Sequence, residues 1–370
     1  MTRLHELFDC YGQSAWIDNI RRDWLNDGTL EKMVSDGVRG VTSNPSIFAN
    51  ALVSTSAYDQ YLKEVSRADA EEVFEHLAAS DVRDACDVLS GVYTNSVQEF
   101  EAGNHRFLDG FVSLEVSPLR ARDTAGTISA AQRLSAQVGR PNVMIKIPAT
   151  VEGLPAISQV LGSGISVNVT LIFSLARYQQ VLDAWIEGLK LAVRNGHELS
   201  KIGSVASFFV SRVDAKIDDL LATDDPLRGS MANAQVAAAY EIYLANIDSS
   251  RVAALLNAGA QVQRPLWAST SPKNTSYDAL LYVDSIVADE TVNTMRDATL
   301  VATMERGSFT TSLLRDPVIR AESIALLSAL PSSISLSEVT TTLEKEGVDN
   351  FVAAYRALLV TIETKIRPTT

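Results

Sequence analysis

The chain alternates short β-rich segments with longer helical ones along most of its 370 residues. Parallel neighbouring strands need a crossover connection, usually a helix, so this alternation predicts a parallel sheet. Eight strand–helix units match the strand count of a closed (β/α)8 barrel. We expect strands at Ser14–Ile20, Gly37–Asn44, Phe111–Ser117, Asn142–Pro148, Gly164–Leu171, Ile202–Phe209, Pro265–Thr270 and Thr291–Met295, and helices that include Arg122–Val138, Ser174–Asn195, Arg212–Ala222 and Ser276–Val287.

A doubly wound open sheet is the competing architecture. Its dinucleotide-binding form carries a G-x-G-x-x-G motif after the first strand, and this chain has none there. We therefore predict an α/β fold, a (β/α)8 TIM barrel with additional helices. The additions are a helical insert at about 54–103 and a helical C-terminal extension at about 309–370. Neither is rich in Pro or Gly, so we expect residues 1–370 to form a single barrel domain.

The net charge and the cysteine content indicate which classes of partner the chain binds and in which cellular compartment it works. The formal net charge of −13 disfavours a nucleic-acid surface, although a few well-placed Arg or Lys residues would still bind a phosphorylated small molecule. The N-terminus has no apolar signal core, and no run of about 18 apolar residues predicts a membrane span. Cys10 and Cys86 fit neither a disulfide framework nor a metal motif, which favours the cytoplasm. The sequence leaves a homo-oligomer open.

A single lysine, Lys146, interrupts the apolar strand Asn142–Pro148. Burying an ammonium group is costly, so a lysine in such a strand is usually paired or carries a lowered pKa. A lysine with a lowered pKa is a free amine near neutral pH and a nucleophile toward carbonyl groups. The alternative is a lysine that reaches water at the strand end or pairs with a carboxylate. The strand alone leaves both interpretations open.

Polar side chains recur on one face of several strands, near their C-terminal ends. Strand side chains alternate between faces, so in a barrel one parity points inward, and active sites lie at the C-terminal mouth. An Asp, a Glu, a Lys and two Asn in one interior would need extensive mutual pairing to be merely structural. The four histidines show no ligand spacing, so we expect no metal and no cofactor. The polar residues on the inward parity are Asp18, Thr42, Asn44, Glu115, Lys146, Asn168 and Thr170.

Four motifs, taken in order along the chain, resemble the transaldolase family. They are Gly40–Phe48 (GVTSNPSIF), Asn142–Thr150 (NVMIKIPAT), Gly164–Ser174 (GISVNVTLIFS) and Trp267–Thr270 (WAST). The resemblance runs from about Leu4 to Gly307, and the helical additions make the chain similar to the longer bacterial members. The family transfers a dihydroxyacetone unit from a ketose phosphate to an aldose phosphate, in the non-oxidative pentose phosphate pathway.

The resemblance implies a catalytic role for each of four residues. Lys146 would form a Schiff base with the ketone of the donor sugar. Glu115 would work with Thr170 and a water molecule in the proton transfers that form this imine. Asp18 would take the proton from the C4 hydroxyl when the C3–C4 bond breaks. No cofactor is implied, and the partners are phosphorylated sugars.

The resemblance also implies substrate-binding residues. Asn44 and Asn168 match the residues that hold the dihydroxyacetone hydroxyls, and Thr42 and Ser207 match their neighbours. Because all four lie near the C-terminal ends of predicted strands, we expect them in the same cavity as the predicted catalytic residues.

The remaining implied residues concern the phosphate and the subfamily. Arg212 matches a phosphate-binding arginine, although an isolated Arg at a helix start is usually a solvated charge. Ser269 and Lys273 fall where the family supplies a serine and a second cation, with Lys here in place of Arg. Phe209 together with Glu115 favours group transfer over simple aldol cleavage, because the related fructose-6-phosphate aldolases tend to carry Tyr and to lack the Glu.

Two alternative functions remain open at this point. A fructose-6-phosphate aldolase-like enzyme would share Lys146 and the barrel but release the three-carbon product. A non-catalytic sugar-phosphate binding barrel would keep Arg212 and the two Asn residues without needing a nucleophile. The combination of Lys146, Glu115 and Asp18 favours an enzyme over the binding barrel.

Overall fold

The computed structural model describes residues 1–65 and 69–366 of the chain. Within these residues, eight parallel strands form a closed barrel in chain order, and the last strand pairs with the first. This topology confirms the predicted TIM barrel and excludes the open sheet. The strands are β1 (Ser14–Ile17), β2 (Gly40–Val41), β3 (Val112–Glu115), β4 (Val143–Pro148), β5 (Val167–Ile172), β6 (Ser204–Phe209), β7 (Gln263–Ala268) and β8 (Val292–Met295).

Helices surround the barrel and extend beyond it. None of the helices in the described ranges has both the length and the apolar character needed to cross a membrane. The helices are α1 (Arg3–Tyr11), α2 (Arg22–Asn26), α3 (Thr29–Ser35), α4 (Pro45–Ser54), α5 (Asp59–Glu64), α6 (Ala70–Val88), α7 (Ser90–Glu101), α8 (Thr124–Val138), α9 (Gly153–Gly162), α10 (Leu175–Arg194), α11 (Ser211–Asp218), α12 (Met231–Ile247), α13 (Ser250–Asn257), α14 (Leu281–Asp284), α15 (Asp297–Arg306), α16 (Pro317–Ala325) and α17 (Leu336–Ile366), with short 3-10 helices at Pro118–Arg120, Leu199–Lys201 and Leu326–Ala329.

A buried charged cluster fills the N-terminal end of the barrel. The carboxylate of Asp109 accepts hydrogen bonds from Ser14, from the Trp16 indole at 2.9 Å and from Arg39 at 2.7 Å. The Arg264 guanidinium lies 3.6 Å from the same carboxylate, and Asp109 and Arg264 are almost fully buried. The two arginines hold the pKa of Asp109 below its usual range despite its burial. Because this end is filled, a ligand has to enter at the C-terminal end.

The segments after β2 and β5 show how local sequence directs chain entry into helices. After β2, the Asn44 side chain accepts the Ile47 backbone N–H at 3.1 Å, and Pro45 occupies the first helical position of α4. After β5, the Ser174 hydroxyl accepts the Arg177 backbone N–H at 3.1 Å at the start of α10. Such caps satisfy N–H groups that have no partner within the helix. The cap at Asn44 also ends β2 at Val41, earlier than the sequence predicts.

Two further sequence expectations concern the regions outside the minimal barrel. The predicted insert contains α5, α6 and α7, although residues 66–68 of it lie outside the described residues. The predicted extension contains α16 and α17, and its last residues, 367–370, also lie outside them. The N-terminal part of α17 packs beside the barrel mouth, where Gly347 approaches Leu171 and Phe173. The single-domain organisation stays a prediction.

The predicted helix Ser276–Val287 is largely wrong, since only α14 is α-helical there. Polar side chains at its start divert the backbone N–H groups: Asn274 accepts from Ser276 N–H at 2.9 Å, and Asp278 accepts from Leu280 N–H at 2.8 Å. These local bonds compete with the helical pattern and favour turns.

Candidate active site

A polar cavity opens at the C-terminal ends of the strands, between the loops that lead into the helices. Of the twelve residues that the sequence predicts for the site, ten line this cavity, while Glu115 and Asn168 lie behind its wall. The ten are Asp18, Thr42, Asn44, Lys146, Thr170, Ser207, Phe209, Arg212, Ser269 and Lys273.

Lys146 lies on β4, between β3 and β5, and is only 5% exposed. Its ammonium donates a hydrogen bond to the Ser43 carbonyl at 3.1 Å and lies 3.6 Å from the Glu115 carboxylate. The barrel register explains this pairing, since Glu115 is the β3 partner of Lys146. Lys146 is therefore buried, paired with a carboxylate and open to the cavity, and does not reach bulk water at the strand end.

Glu115 is the buried partner of the lysine. Burial raises the pKa of Glu115 to about 7, although the nearby Lys146 charge opposes this rise. One carboxylate oxygen, Oε2, forms no hydrogen bond within the described part of the chain, and the buried hydroxyl of Thr170 is likewise without a hydrogen bond there. A carboxyl group that titrates near neutral pH can both accept and return a proton.

The raised pKa of Glu115 predicts a pH dependence for imine formation. Below about pH 7 the carboxyl group is protonated and cannot accept the proton that Lys146 must lose, so the rate of imine formation should rise as the pH passes through about 7. Stopped-flow or quenched reduction of the imine between pH 5.5 and 8.5 measures this rate. Glu115→Gln should be slower and should lack this ionisation. An unchanged ionisation in the variant would contradict the prediction.

Asp18 and Thr42 form a second polar group at the mouth. Asp18 directly follows β1, and the Thr42 hydroxyl donates to its carboxylate at 2.8 Å. The Thr42 hydroxyl also lies 2.7 Å from the Thr294 hydroxyl of β8. Because Asp18 is only partly buried and faces the cavity, it is placed to accept a proton from a bound molecule.

A buried hydrogen-bond network lies beneath the lysine. The Asn168 amide donates to the Ser113 hydroxyl at 2.9 Å and accepts from the Ser207 hydroxyl at 2.7 Å. Asn168 is fully buried and does not line the cavity, whereas Ser207 does. Asn44, the other predicted hydroxyl-binding residue, does line the cavity while its side-chain oxygen caps α4. These hydrogen bonds therefore hold the side chains of Asn168 on β5 and Ser207 on β6 in fixed orientations.

Positive charge gathers near Asp18 at the mouth. Arg212, at the start of α11, and Lys273, after β7, both line the cavity, and the Ser269 hydroxyl lies 3.1 Å from that of Ser211. Burial, followed by the positive charge of Arg296, lowers the pKa of both Arg212 and Lys273. Among the described residues, none of these three cations forms an ion pair. Three unpaired cations at one mouth can bind an anionic group.

Phe209 has neighbours on two sides. Its ring packs against Phe173 at 4.9 Å between centroids, and the Arg212 guanidinium lies 5.2 Å from its centroid. It also lines the cavity. The residue is therefore part of both the packed core and the cavity wall.

Several cavity residues are absent from the sequence prediction. Arg296 directly follows β8, so the rule that places sites at strand ends points to it, but an exposed Arg at a helix start resembles any surface charge. Phe351 comes from α17, far along the chain, and no local pattern indicates its position. The other residues of this kind are Ser46, Ala268, Thr270, Ser271 and Thr294.

No group of three or more His, Cys, Asp or Glu side chains suited to a metal ion occurs within residues 1–65 and 69–366. A closed barrel with a buried lysine–carboxylate pair at its C-terminal mouth is typical of enzymes that form Schiff bases with carbonyl substrates. The chain belongs to the transaldolase/fructose-6-phosphate aldolase family, whose model matches residues 15–362.

Curated relatives share nearly the full length of the chain. It is 48% identical over 365 residues to a transaldolase of Thermobifida fusca, with 96% of each protein covered. It is 47% identical over 364 residues to a transaldolase of an Arthrobacter species, covering 95% of this chain and 94% of the relative. A transaldolase of Renibacterium salmoninarum is 45% identical over 357 residues, covering 94% of this chain and 92% of the relative.

Proposed function

We propose that the chain is a transaldolase. It transfers a dihydroxyacetone unit from sedoheptulose 7-phosphate or fructose 6-phosphate to glyceraldehyde 3-phosphate or erythrose 4-phosphate, in the non-oxidative pentose phosphate pathway. The observation that carries this proposal is the buried Lys146 with Glu115 at 3.6 Å in a cavity that also holds Asp18 and three cations. Full-length identity of 45–48% to proteins named transaldolase supports it.

Imine formation comes first. The Lys146 amine attacks the C2 ketone of the donor after its ammonium proton passes to Glu115. Thr170 and a water molecule help return the proton to the carbinolamine hydroxyl, which leaves as water. Glu115 suits this shuttle because its pKa of about 7 lets it give and take a proton at neutral pH.

Carbon–carbon cleavage follows on the other side of the cavity. Asp18 takes the proton of the C4 hydroxyl, the C3–C4 bond breaks, and its electron pair moves into the protonated imine. An aldose phosphate leaves, and an enamine remains on Lys146. The enamine carbon then attacks the aldehyde of the acceptor, and hydrolysis of the new imine releases the product. The protonated imine is the electron sink, so the scheme needs no cofactor.

The cations bind the phosphate of both substrates. Arg212 offers a planar pair of N–H donors, while Lys273 and Arg296 add charge to the same side of the cavity. A phosphate bound here anchors one end of the sugar. The carbon chain then extends into the cavity, which places the carbonyl group at Lys146. Asn44, Thr42 and Ser207 are proposed to contact the dihydroxyacetone hydroxyls, with Asn168 positioning Ser207 through the hydrogen bond between them.

Removing a phosphate-binding cation should weaken substrate binding more than chemistry. A hydrogen bond to a charged group contributes about 1.5–3 kcal/mol, so Arg212→Ala should raise KM for fructose 6-phosphate by roughly 10- to 100-fold. Arg296→Ala should raise KM in the same direction. Steady-state kinetics measure both, and Arg306→Ala on the outer end of α15 serves as a surface control. Unchanged kcat/KM in Arg212→Ala would remove Arg212 from the phosphate site.

The fructose-6-phosphate aldolase-like alternative shares Lys146 but releases dihydroxyacetone. An assay with fructose 6-phosphate, with and without erythrose 4-phosphate, separates the two functions. A transaldolase should form sedoheptulose 7-phosphate rapidly with the acceptor and release little dihydroxyacetone without it. Equal turnover without an acceptor would favour the aldolase, and binding without turnover would favour the sugar-phosphate binding barrel.

We also place the protein in the cytoplasm as a single barrel domain that includes its helical additions. Two cysteines without a disulfide, one exposed and one buried, fit a reducing compartment. A homo-oligomer is compatible with this assignment. Fractionation of cells and size-exclusion chromatography with light scattering test these points.

A further inference from the structure

We propose that α17 covers one side of the active site and that Phe351 on it keeps water from the enamine carbon of the covalent intermediate. This inference rests on the proposed function, because it assigns a role to the C-terminal extension in committing the intermediate to transfer. The carrying observation is the position of Phe351: its ring centroid lies 5.9 Å from the Lys146 ammonium nitrogen, and it lines the same cavity.

Polar contacts attach α17 to four other helices along its length. Glu344 meets Arg177 of α10 at 3.4 Å, and Glu346 meets Lys216 of α11 at 2.6 Å. Further along, the Tyr355 hydroxyl donates to Glu71 of α6 at 3.1 Å, and Lys365 meets Asp59 of α5 at 2.7 Å. These contacts bracket Phe351 on both sides and hold its helix across the mouth.

Close packing brings the helix down onto β5. A side chain at Gly347 would place its first carbon 3.1 Å from Leu171 and 3.3 Å from Phe173, so any residue larger than glycine requires these side chains to shift. Leu171 has a φ of 58°, which a bulky residue adopts only under strain, and it lies within the irregular β5–β6 pairing. Thr170, a proposed proton-transfer residue, directly precedes it. The cover is therefore packed against the strand that carries part of the chemistry.

Phe351 presents an apolar surface to the place where the intermediate forms. Its side chain is 6% exposed, so the packing that holds it is nearly complete. The protonated imine carries its positive charge on the nitrogen of Lys146, and the distance of 5.9 Å from that nitrogen to the ring centroid is within the range of a cation–π contact. An aromatic wall can stabilise this cation without offering a proton or a nucleophile, which a water molecule would do.

The competing reaction shows what such a wall prevents. If the enamine carbon takes a proton from water instead of attacking an aldehyde, an iminium ion and hydroxide result. Addition of this hydroxide to the iminium carbon gives a neutral carbinolamine, which transfers its hydroxyl proton to the nitrogen and expels the Lys146 amine, releasing dihydroxyacetone. The net change is hydrolysis of the enamine, with no oxidant or reductant. Keeping water from the enamine carbon slows the first of these steps while an acceptor aldehyde is awaited, whereas hydrolysis of an iminium also completes the transfer reaction.

The test measures a ratio of rates: dihydroxyacetone release from fructose 6-phosphate alone, divided by transfer to erythrose 4-phosphate. Phe351→Ala should raise this ratio roughly tenfold, because truncation lets water reach the intermediate. Phe351→Leu retains an apolar side chain and should stay near the wild-type ratio. Val360→Ala, at a 59% exposed position on the same helix, is the matched control and should change nothing.

A second variant perturbs the cover without touching the cavity. Gly347→Leu inserts a branched side chain where even the first carbon would lie 3.1 Å from Leu171, so it should push α17 away and raise the ratio in the same direction as Phe351→Ala. This variant keeps the test decisive if Phe351→Ala does not fold. Thermal unfolding of each variant distinguishes a loss of folding from a change in the ratio of dihydroxyacetone release to transfer.

Two outcomes overturn the inference: an unchanged ratio in folded Phe351→Ala, or an unchanged ratio in folded Gly347→Leu, even when transfer itself slows. A failure of the proposed function looks different, since the wild type would then show no transfer and no borohydride-trapped adduct.

Discussion

Replacing Lys146 with arginine should abolish transfer, lowering kcat/KM by on the order of 10³-fold or more, as expected for the loss of a nucleophile. A guanidinium stays protonated at working pH and cannot attack a ketone. The substitution keeps the positive charge beside Glu115, so the fold should survive. Loss of activity with an unchanged unfolding temperature would separate chemistry from stability.

Borohydride trapping identifies the nucleophile directly. Reduction of the wild-type protein with fructose 6-phosphate should add a dihydroxyacetone-derived mass to the peptide that contains residues 144–148, and the variant should carry no label. Lys201→Arg, at an exposed lysine paired with Glu198, should label like the wild type. A label on another lysine, or an unlabelled wild type that still turns over, would refute the role of Lys146.

The barrel was predictable because its determinants are local. Each strand is a short apolar or alternating run, and each crossover is an amphipathic segment, so the order of elements follows from periodicity. The exact ends are harder to predict, because single capping or turn-forming side chains override the periodic pattern. β2 shortens to two residues because the Asn44 cap and Pro45 start a helix there, and the predicted helix Ser276–Val287 fails because Asn274 and Asp278 capture nearby backbone N–H groups.

The position of the polar residues was predictable from strand parity, and their proximity followed from closing the barrel. The register that sets Glu115 beside Lys146, and Lys146 beside Asn168, is the consequence of that closure. Parity did not distinguish Asn168, which is fully buried behind the cavity, from the residues that line it.

Arg296 and Phe351 escaped prediction for different reasons. Arg296 has the sequence environment of an ordinary helix-start charge, and only its position beside Arg212 and Lys273 makes it part of a cationic group. Phe351 reaches the site through packing of α17 against elements more than 150 residues earlier, including Leu171 and Phe173, which contact Gly347. Long-range packing of this kind has no periodic signal in the sequence.

Replacing Asp18 with asparagine should separate cleavage from imine formation. The amide keeps the shape of the side chain and a hydrogen bond to Thr42, but it cannot take the C4 hydroxyl proton. Loss of a general base typically costs about 10²- to 10⁴-fold, so kcat should fall within that range. Borohydride should still trap an adduct at Lys146, and this adduct should retain the full carbon chain of the donor because the C3–C4 bond remains intact.

Glu115→Gln supplies the matched comparison, since it changes the other carboxylate in the same way. Its defect should lie one step earlier: the trapped adduct should accumulate slowly, because Lys146 loses its proton acceptor at 3.6 Å. Rapid-quench trapping followed by mass spectrometry distinguishes the two variants by the rate and the mass of the adduct. If Asp18→Asn traps no adduct, or traps only the three-carbon one, Asp18 is not the base for cleavage. The two carboxylates would then not act in separate steps of the reaction.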